Sequence, residues 1–179
     1  MTLARRLAPE ASAVRAQFRS ALGCFPTGVA VLATGGSAAS AMTANSFTSV
    51  SLDPPLVLVC VRVDAVFHAS MEQSGAYSVN VLSSSQRELA RHFADPARHL
   101  AGGEFAAGNW LAGAHTGVPL LDEAHAWMEC ALEQTYDGGD HSIFVGSVLG
   151  FAADPSQQPL VFYAGGYRDL ADNQPSGQH

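Results

Sequence analysis

A short stretch of the chain concentrates small polar side chains immediately before an apolar strand. From Met42 to Leu56 the sequence is MTANSFTSVSLDPPL. Hydroxyl and amide side chains at this density, together with backbone N–H groups, can line one flat polar ligand. The candidate contacts are Thr43, Ala44, Asn45, Ser46, Phe47, Thr48 and Ser49. Composition alone also fits an ordinary edge strand rich in serine and threonine, which would bind nothing.

His141 is the second candidate, because it lies in a Gly-Asp-His-Ser turn that leads into an apolar run. A histidine in a hairpin turn is commonly only solvated, but an imidazole can also assist a reacting group. The other histidines share no His-x-x-x-His spacing, so the pattern gives no metal site.

Three more segments complete the set of candidate site residues. Cys60, Val61 and Arg62 end an apolar strand, and Phe93 lies in an Arg-His-Phe-Ala stretch. Tyr167 and Arg168 lie near the carboxyl end, where the ring could stack on a ligand and the guanidinium could meet phosphate. Each of these residues could equally well serve only to pack its own strand end, helix or carboxyl-terminal segment, without contacting a ligand.

Taken together, these motifs resemble the short-chain flavin reductases, which supply reduced flavin to two-component monooxygenases. The similarity runs from about Phe18 to Leu170. It implies a mainly β fold, an antiparallel flavin-binding split β-barrel with a few flanking helices. It also implies an NAD(P)H:flavin oxidoreductase that transfers hydride to FAD or FMN and releases the reduced flavin to a partner monooxygenase. The family is typically homodimeric.

The resemblance assigns roles to the candidate residues. His141 would face the nicotinamide, and the remaining candidates would border the flavin. One segment departs from the family pattern, because Asp64-Ala65-Val66-Phe67-His68 stands where a Ser-x-Thr motif is common. With those hydroxyls absent, we expect the flavin phosphate to rest on Arg62 or Arg168.

Two other functions remain open from the sequence. One is an oxidase or oxygenase with tightly held flavin, and the other is a non-catalytic flavin-binding subunit. The choice between FAD and FMN is also open. The scarcity of basic residues to meet a 2′-phosphate favours NADH over NADPH.

Composition excludes several other functions. All nine basic residues are arginine, which excludes lysine Schiff-base chemistry and a P-loop. The net charge of −7 argues against a nucleic-acid partner. No apolar run approaches the roughly 18 residues of a membrane span, and no signal peptide is evident, so we expect a cytoplasmic protein.

Length and periodicity predict the organisation of the chain. With 179 residues, 47% of them hydrophobic, we expect one flavin reductase-like domain over 1–179, flexible at 1–12 and 171–179. Helices are predicted at 11–22, packed on the domain, at 64–73, and at 85–93 with a capping box of Ser85 and Glu88. Short strands are predicted at 29–34, 38–43, 56–63, 76–82, 124–132, 142–152 and 160–163.

Burial can also be predicted for some of these elements. The continuous apolar run of 56–63 indicates a strand buried on both faces. Alternation in 124–132 places Glu129 on the polar face of its strand, and Asn80 is given a structural role only. Residues 94–118 lack a clear period, which indicates a long loop of the kind that often carries function.

Overall fold

Strands make up most of the regular structure. The computed structural model describes residues 4–98 and 103–170. Three α-helices are present in those ranges: α1 (Ala4–Leu22), α2 (Val66–Ser74) and α3 (Arg87–Ala94). The strands are β1 (Thr27–Gly28), β2 (Ala30–Thr34), β3 (Ser40–Ala44), β4 (Thr48–Leu52), β5 (Pro55–Arg62), β6 (Ala76–Val81), β7 (Trp110–Ala112), β8 (Pro119–Leu121), β9 (Ala126–Asp137), β10 (His141–Ala153), β11 (Leu160–Tyr163) and β12 (Gly166–Asp169).

Seven strands form one antiparallel sheet in the order β3-β2-β6-β9-β10-β5-β4. A smaller sheet contains β1, β11 and β12, and β7 pairs with β8. Antiparallel pairing is the arrangement that short hairpin connections allow. The predicted mainly β, antiparallel class is confirmed.

The two edge strands of the large sheet, β3 and β4, are consecutive in the chain. Only residues 45–47 separate them, and the step from residue 44 to residue 48 spans at most about 14 Å. The sheet therefore has to curl until its edges approach at this corner, where they do not pair with each other. This is the split barrel that the resemblance predicts.

At that corner, Ser46 forms a joint with β5, the neighbour of edge strand β4. Its hydroxyl donates to the carbonyl oxygen of Cys60 at 2.8 Å and accepts from the N–H of Cys60 at 3.0 Å. The ladder between β4 and β5 ends earlier, at the pair of Thr48 and Leu58. The serine side chain therefore satisfies two backbone groups of β5 that the ladder leaves unpaired.

Apolar clusters lie on both faces of the sheet. The inner one includes Leu32, Val59 and Phe144, and the outer one, under α3, includes Val31 and Phe93. All of β2 is buried, so it serves both clusters. The expectation that 56–63 is buried on both faces is wrong, because burial alternates along β5. Apolar sequence alone does not say whether another element covers the second face.

Helix α1 differs from its prediction in length and in packing. It begins at Ala4, so residues 4–12 are helical. Its apolar residues Val14, Phe18 and Leu22 are each about 60% exposed, so they do not pack on the domain. A helical period shows that a face can be buried, but it does not identify the partner. The expected flexible tail 171–179 and residues 1–3 lie outside the described residues.

No helix in the described ranges has both the length and the apolarity needed to cross a membrane.

The capping box lies two residues before its predicted position. Ser83 and Gln86 form it, and the Ser83 N–H donates to Gln86 Oε1 at 2.9 Å. Glu88 pairs with Arg91 instead. Both residue pairs have the same spacing. The N–H of the neighbouring Ser84 donates to the Gln158 carbonyl, which ties this turn to the distant segment before β11 and favours the earlier cap.

Glu129 is buried and not solvated, contrary to the expectation for the polar face of its strand. Its Oε1 accepts hydrogen bonds from the N–H of His115 at 3.0 Å and from the N–H and hydroxyl of Thr116 at 2.5 and 2.7 Å. These bonds lower the pKa of Glu129, although burial by itself would raise it. The carboxylate thus holds the 113–118 turn over β9.

Asn80 has the structural role that was predicted. Its amide nitrogen donates to the Val31 carbonyl at 3.0 Å, and its oxygen accepts from the Leu121 N–H at 2.8 Å. The buried side chain therefore fixes the β7–β8 hairpin to the large sheet. That hairpin lies partly inside the predicted loop 94–118, whose pairing could not be seen in the sequence.

The joint at Ser46 leads to a stability prediction. Replacing Ser46 by Ala leaves two backbone groups of Cys60 without partners, so we expect the free energy of unfolding to fall by about 1–3 kcal/mol. Urea denaturation measures this change. Ser49→Ala is the matched control, because Ser49 is an exposed residue of the same segment, and it should change stability by less than about 0.5 kcal/mol. Equal stability of both variants would refute the role of the joint.

Candidate active site

A cleft of about 550 Å³ opens near the Ser46 joint. Its volume is within the range of small-molecule sites. One wall is the edge strand β3, a second is the end of β5 with the start of α2, and a third follows α3. The lining residues are Ser40, Ala41, Met42, Thr43, Arg62, Asp64, Ala65, Val66, Phe67, Phe93, Ala94, Pro96, Arg98 and Glu104.

The candidate residues of the 43–49 segment divide into two groups. The Thr43 hydroxyl donates to the Ala90 carbonyl at 2.7 Å, and the Ser46 hydroxyl is used in the joint. Ala44 and Phe47 pack against the inner cluster through their side chains. These residues fix the backbone of the segment. Asn45, Thr48 and Ser49 are exposed and can offer their side chains to a ligand.

The ends of β5 and β10 bring three other candidates together. His141 is the cross-strand partner of Arg62, and Ile143 is the partner of Cys60. Side chains of directly opposed residues project on the same face, with Cβ atoms about 5 Å apart. Arg62, Cys60 and His141 therefore share one face. Val61 points the other way into the inner cluster, so only its backbone can take part in a site.

His141 is held by its neighbour in the turn. Its Nδ1 lies 2.7 Å from Oδ1 of Asp140, and this hydrogen bond lowers the pKa of Asp140. A carboxylate only accepts, so the proton of this bond belongs to Nδ1. The other ring nitrogen, Nε2, remains available to a ligand, and 38% of the His141 side chain is exposed.

Arg62 carries a carboxylate partner inside the cleft. Its Nη2 donates to Oδ2 of Asp64 at 2.5 Å, and both side chains are almost two-thirds exposed. Such exposure makes the ion pair weak in water, since solvent screens it. The guanidinium is thus accessible, but it is not without a partner.

Arg98 and Glu104 also line the cleft and were not singled out in the sequence. They form an ion pair that is about 85% buried. Glu104 accepts from the Ala41 N–H at 2.7 Å, and Arg98 donates to the Ala41 carbonyl at 2.9 Å. Together they satisfy the outward N–H and carbonyl of Ala41 on edge strand β3. The only signal in the sequence was their place in a long loop predicted to be functional.

Of the remaining candidates, Phe93 borders the cleft but Tyr167 and Arg168 do not. Phe93 is buried beneath the Arg98 guanidinium, which lies 5.5 Å from the ring centre. Tyr167 packs on Phe162 at 5.6 Å, and burial raises its pKa. Arg168 donates to the Tyr167 carbonyl at 3.0 Å. In this chain, both residues belong to the small sheet.

The described residues give no support for a reactive thiolate or for a metal site. Burial raises the pKa of the Cys60 thiol, which disfavours the reactive thiolate. Within residues 4–98 and 103–170, no group of three or more His, Cys, Asp or Glu side chains has the arrangement of a metal site. The cleft itself offers small polar side chains and one accessible guanidinium, which suit a ligand with an anionic tail. His141 and residues 44–49 are not among its lining residues.

Comparison with known proteins agrees with this geometry. Residues 22–171 match the family model described as the flavin reductase like domain. An NADH-dependent FAD reductase from Streptomyces globisporus is 43% identical over 176 residues, 96% of this chain and 97% of the relative.

Two solved structures are similar over most of their length. The NADH:FAD oxidoreductase SgcE6 from Streptomyces globisporus C-1027, in complex with NAD and FAD fragments, gives a TM-score of 0.83 at 44% identity, covering 89% of this chain and 94% of that one. BorF, the flavin reductase component of a bacterial two-component tryptophan halogenase, gives 0.83 at 46% identity, covering 88% and 99%. This chain therefore belongs to the flavin reductase-like family.

Proposed function

We propose that this protein reduces FAD or FMN with NADH and releases the reduced flavin to a separate flavin-dependent monooxygenase. The observation that carries the proposal is 43% identity over 96% of the chain to an NADH-dependent FAD reductase, together with a cleft that matches a flavin nucleotide in chemistry. Membership of the family makes the chain an oxidoreductase, as the sequence predicted, and favours the reductase over the oxidase and non-catalytic alternatives.

The flavin ring is assigned to the 43–49 segment. Negative charge develops on the pyrimidine edge of a flavin during reduction, and hydrogen-bond donors stabilise that charge. The exposed side chains of Asn45, Thr48 and Ser49 supply donors, as do backbone N–H groups of the segment. Thr43 and Ser46 act indirectly, since their hydroxyls hold that backbone in place. The flavin supplies the redox chemistry, so no protein nucleophile is needed.

His141 is assigned to the nicotinamide side. The Asp140 carboxylate orients the ring, and Nε2 is the nitrogen that can contact the second nucleotide. Because His141 stands opposite Arg62 across β5 and β10, it lies next to the flavin-binding face without being part of the 43–49 segment. Flavin binding and contact with the nicotinamide are therefore assigned to different residues and can be tested separately.

One assay tests both the proposed activity and the role of His141. The parent should consume NADH only when free FAD or FMN is added, while slow turnover with retained flavin would favour an oxidase. His141→Ala should lower the rate of flavin reduction by about tenfold through lost positioning of the nicotinamide, with little change in flavin affinity. Stopped-flow reduction at several NADH concentrations measures it. Parent-like reduction at every concentration would remove His141 from the reaction.

The flavin phosphate is assigned to Arg62. The sequence left Arg62 and Arg168 as equal candidates, and Arg62 is the one that lines the cleft. Arg98 lines it too, but its side chain is largely buried and its Nη2 is committed to Glu104 and to the carbonyl of Ala41.

A pair of variants tests this assignment. Removing a charge-assisted contact at an exposed site should weaken FMN binding by about tenfold in Arg62→Ala. Arg168→Ala removes the same charge outside the cleft and should bind FMN like the parent. Fluorescence titration of FMN measures both dissociation constants. Weaker binding in Arg168→Ala alone would move the phosphate to the small sheet, for instance in a second subunit.

We also propose a homodimer. All residues from 12 to 20 of α1 are exposed, although most helical stability in proteins comes from packing an amphipathic face. Its apolar stripe of Val14, Phe18 and Leu22 needs a partner surface. Phe151 at 75% exposure and Leu52 at 93% offer uncovered apolar surface on the strands. A second copy of this chain supplies both surfaces at once, in a symmetric pair.

Light scattering tests the homodimer. The parent should have twice the chain mass of 18.7 kDa. Phe18→Glu should shift the protein to the monomer mass, because it buries a charge in the proposed interface. Ala16→Glu introduces the same side chain at an exposed residue on the opposite face of α1 and should leave the mass unchanged. A monomeric parent would refute the proposal.

A further inference from the structure

Asp64 occupies an unusual position for a site that has to receive a phosphate. It lines the cleft two residues before the start of α2, and its carboxylate contacts the guanidinium assigned to the flavin phosphate. The first residues of α2 bring no replacement hydroxyl, since Ala65 is the N-cap residue and Val66 and Phe67 follow it. The Asp64 carboxylate thus lies where the phosphate of the ligand is expected to bind.

The remaining charges of the cleft do not offset this carboxylate. The other lining residues with charged side chains are Arg98 and Glu104, which neutralise each other in a largely buried pair. Arg62 is therefore the accessible cation among the described lining residues, and Asp64 already cancels its charge. A phosphate arriving at Arg62 has to displace the carboxylate or remain within a few ångströms of it, and like charges repel at that distance.

We propose that Asp64 is an affinity-setting residue that competes with the flavin phosphate for Arg62 and keeps flavin binding weak. This inference rests on the proposed function. A reductase that passes its product to another enzyme has to release that product, and a tightly bound reduced flavin would make release limit turnover. Because Asp64 and Arg62 are both exposed, the carboxylate can turn to solvent when phosphate binds and return when flavin leaves.

Asp64→Asn tests the inference, with FMN and riboflavin as probes. The asparagine has nearly the same shape but lacks the charge, so we expect the dissociation constant of FMN to fall by about tenfold at low salt and by less at high salt. Riboflavin has no phosphate, so its dissociation constant should not change. Dissociation of FMN, followed by stopped flow, should slow by a similar factor.

Two further variants serve as controls. Asp64→Glu keeps the charge and should bind FMN like the parent. Glu123→Gln removes a negative charge from an exposed residue that does not line the cleft, so it reports the effect of net charge alone and should leave FMN affinity unchanged.

Several outcomes would overturn the inference. The inference fails if Asp64→Asn binds FMN no more tightly than the parent, if it binds riboflavin more tightly by the same factor, or if Glu123→Gln produces the same gain. Failure of the proposed function would look different, because the parent itself would then bind neither FMN nor FAD and would not consume NADH with either. The two failures are therefore distinguishable in the same titrations.

Discussion

Residues 45–47 carry the chain from one edge of the seven-stranded sheet to the other, and the cleft depends on this short connection. It forces the sheet to curl, because β3 and β4 are adjacent in sequence but are the outermost strands in space. The Ser46 hydroxyl then fastens the corner to Cys60. Closing the edges here brings edge strand β3, with α3 beside it, next to the end of β5 and the start of α2. Without that closure their side chains would lie on opposite margins of an open sheet.

The polar residues of this region serve two purposes that composition does not separate. Thr43 and Ser46 use their hydroxyls to hold backbone, whereas Asn45, Thr48 and Ser49 face solvent. In the proposed flavin site, backbone N–H groups need a rigid backbone, and the first group of residues would provide it. The Arg98–Glu104 pair contributes in the same way, since it satisfies the outward groups of Ala41 on the free edge of β3.

Basic side chains are few in this protein. The chain has no lysine and a net charge of −7, so electrostatic attraction of a flavin nucleotide as a whole is weak. Within the cleft, each arginine is paired with a carboxylate. This pattern suits a protein that binds an anionic ligand and then lets it go. The buried Glu129, in contrast, holds a turn through Oε1, and those hydrogen bonds lower its pKa although burial by itself would raise it.

The sequence by itself determined the family, the mainly β antiparallel class and the type of enzyme, because ordered motifs and strand periodicity are local properties of the chain. It also located the polar segment, and it brought out Arg62 and His141, which the structure places opposite each other. It could not predict the partner of each group. Local patterns do not distinguish Ser83 from Ser85 as the cap, or β2 from β5 as the doubly buried strand. They also do not show whether solvent or the 113–118 turn surrounds Glu129.

Only the tertiary structure decided those choices, since each depends on a contact between residues far apart in sequence. The carbonyl of Gln158 favours the earlier cap, α3 covers the second face of β2, and Thr116 folds back onto Glu129. The same holds for the site. Arg62 and Arg168 were equivalent as sequence, and the curl of the sheet places one in the cleft and the other on the small sheet. Hydrogen bonds and burial are set by distance in space, which periodicity along the chain does not contain.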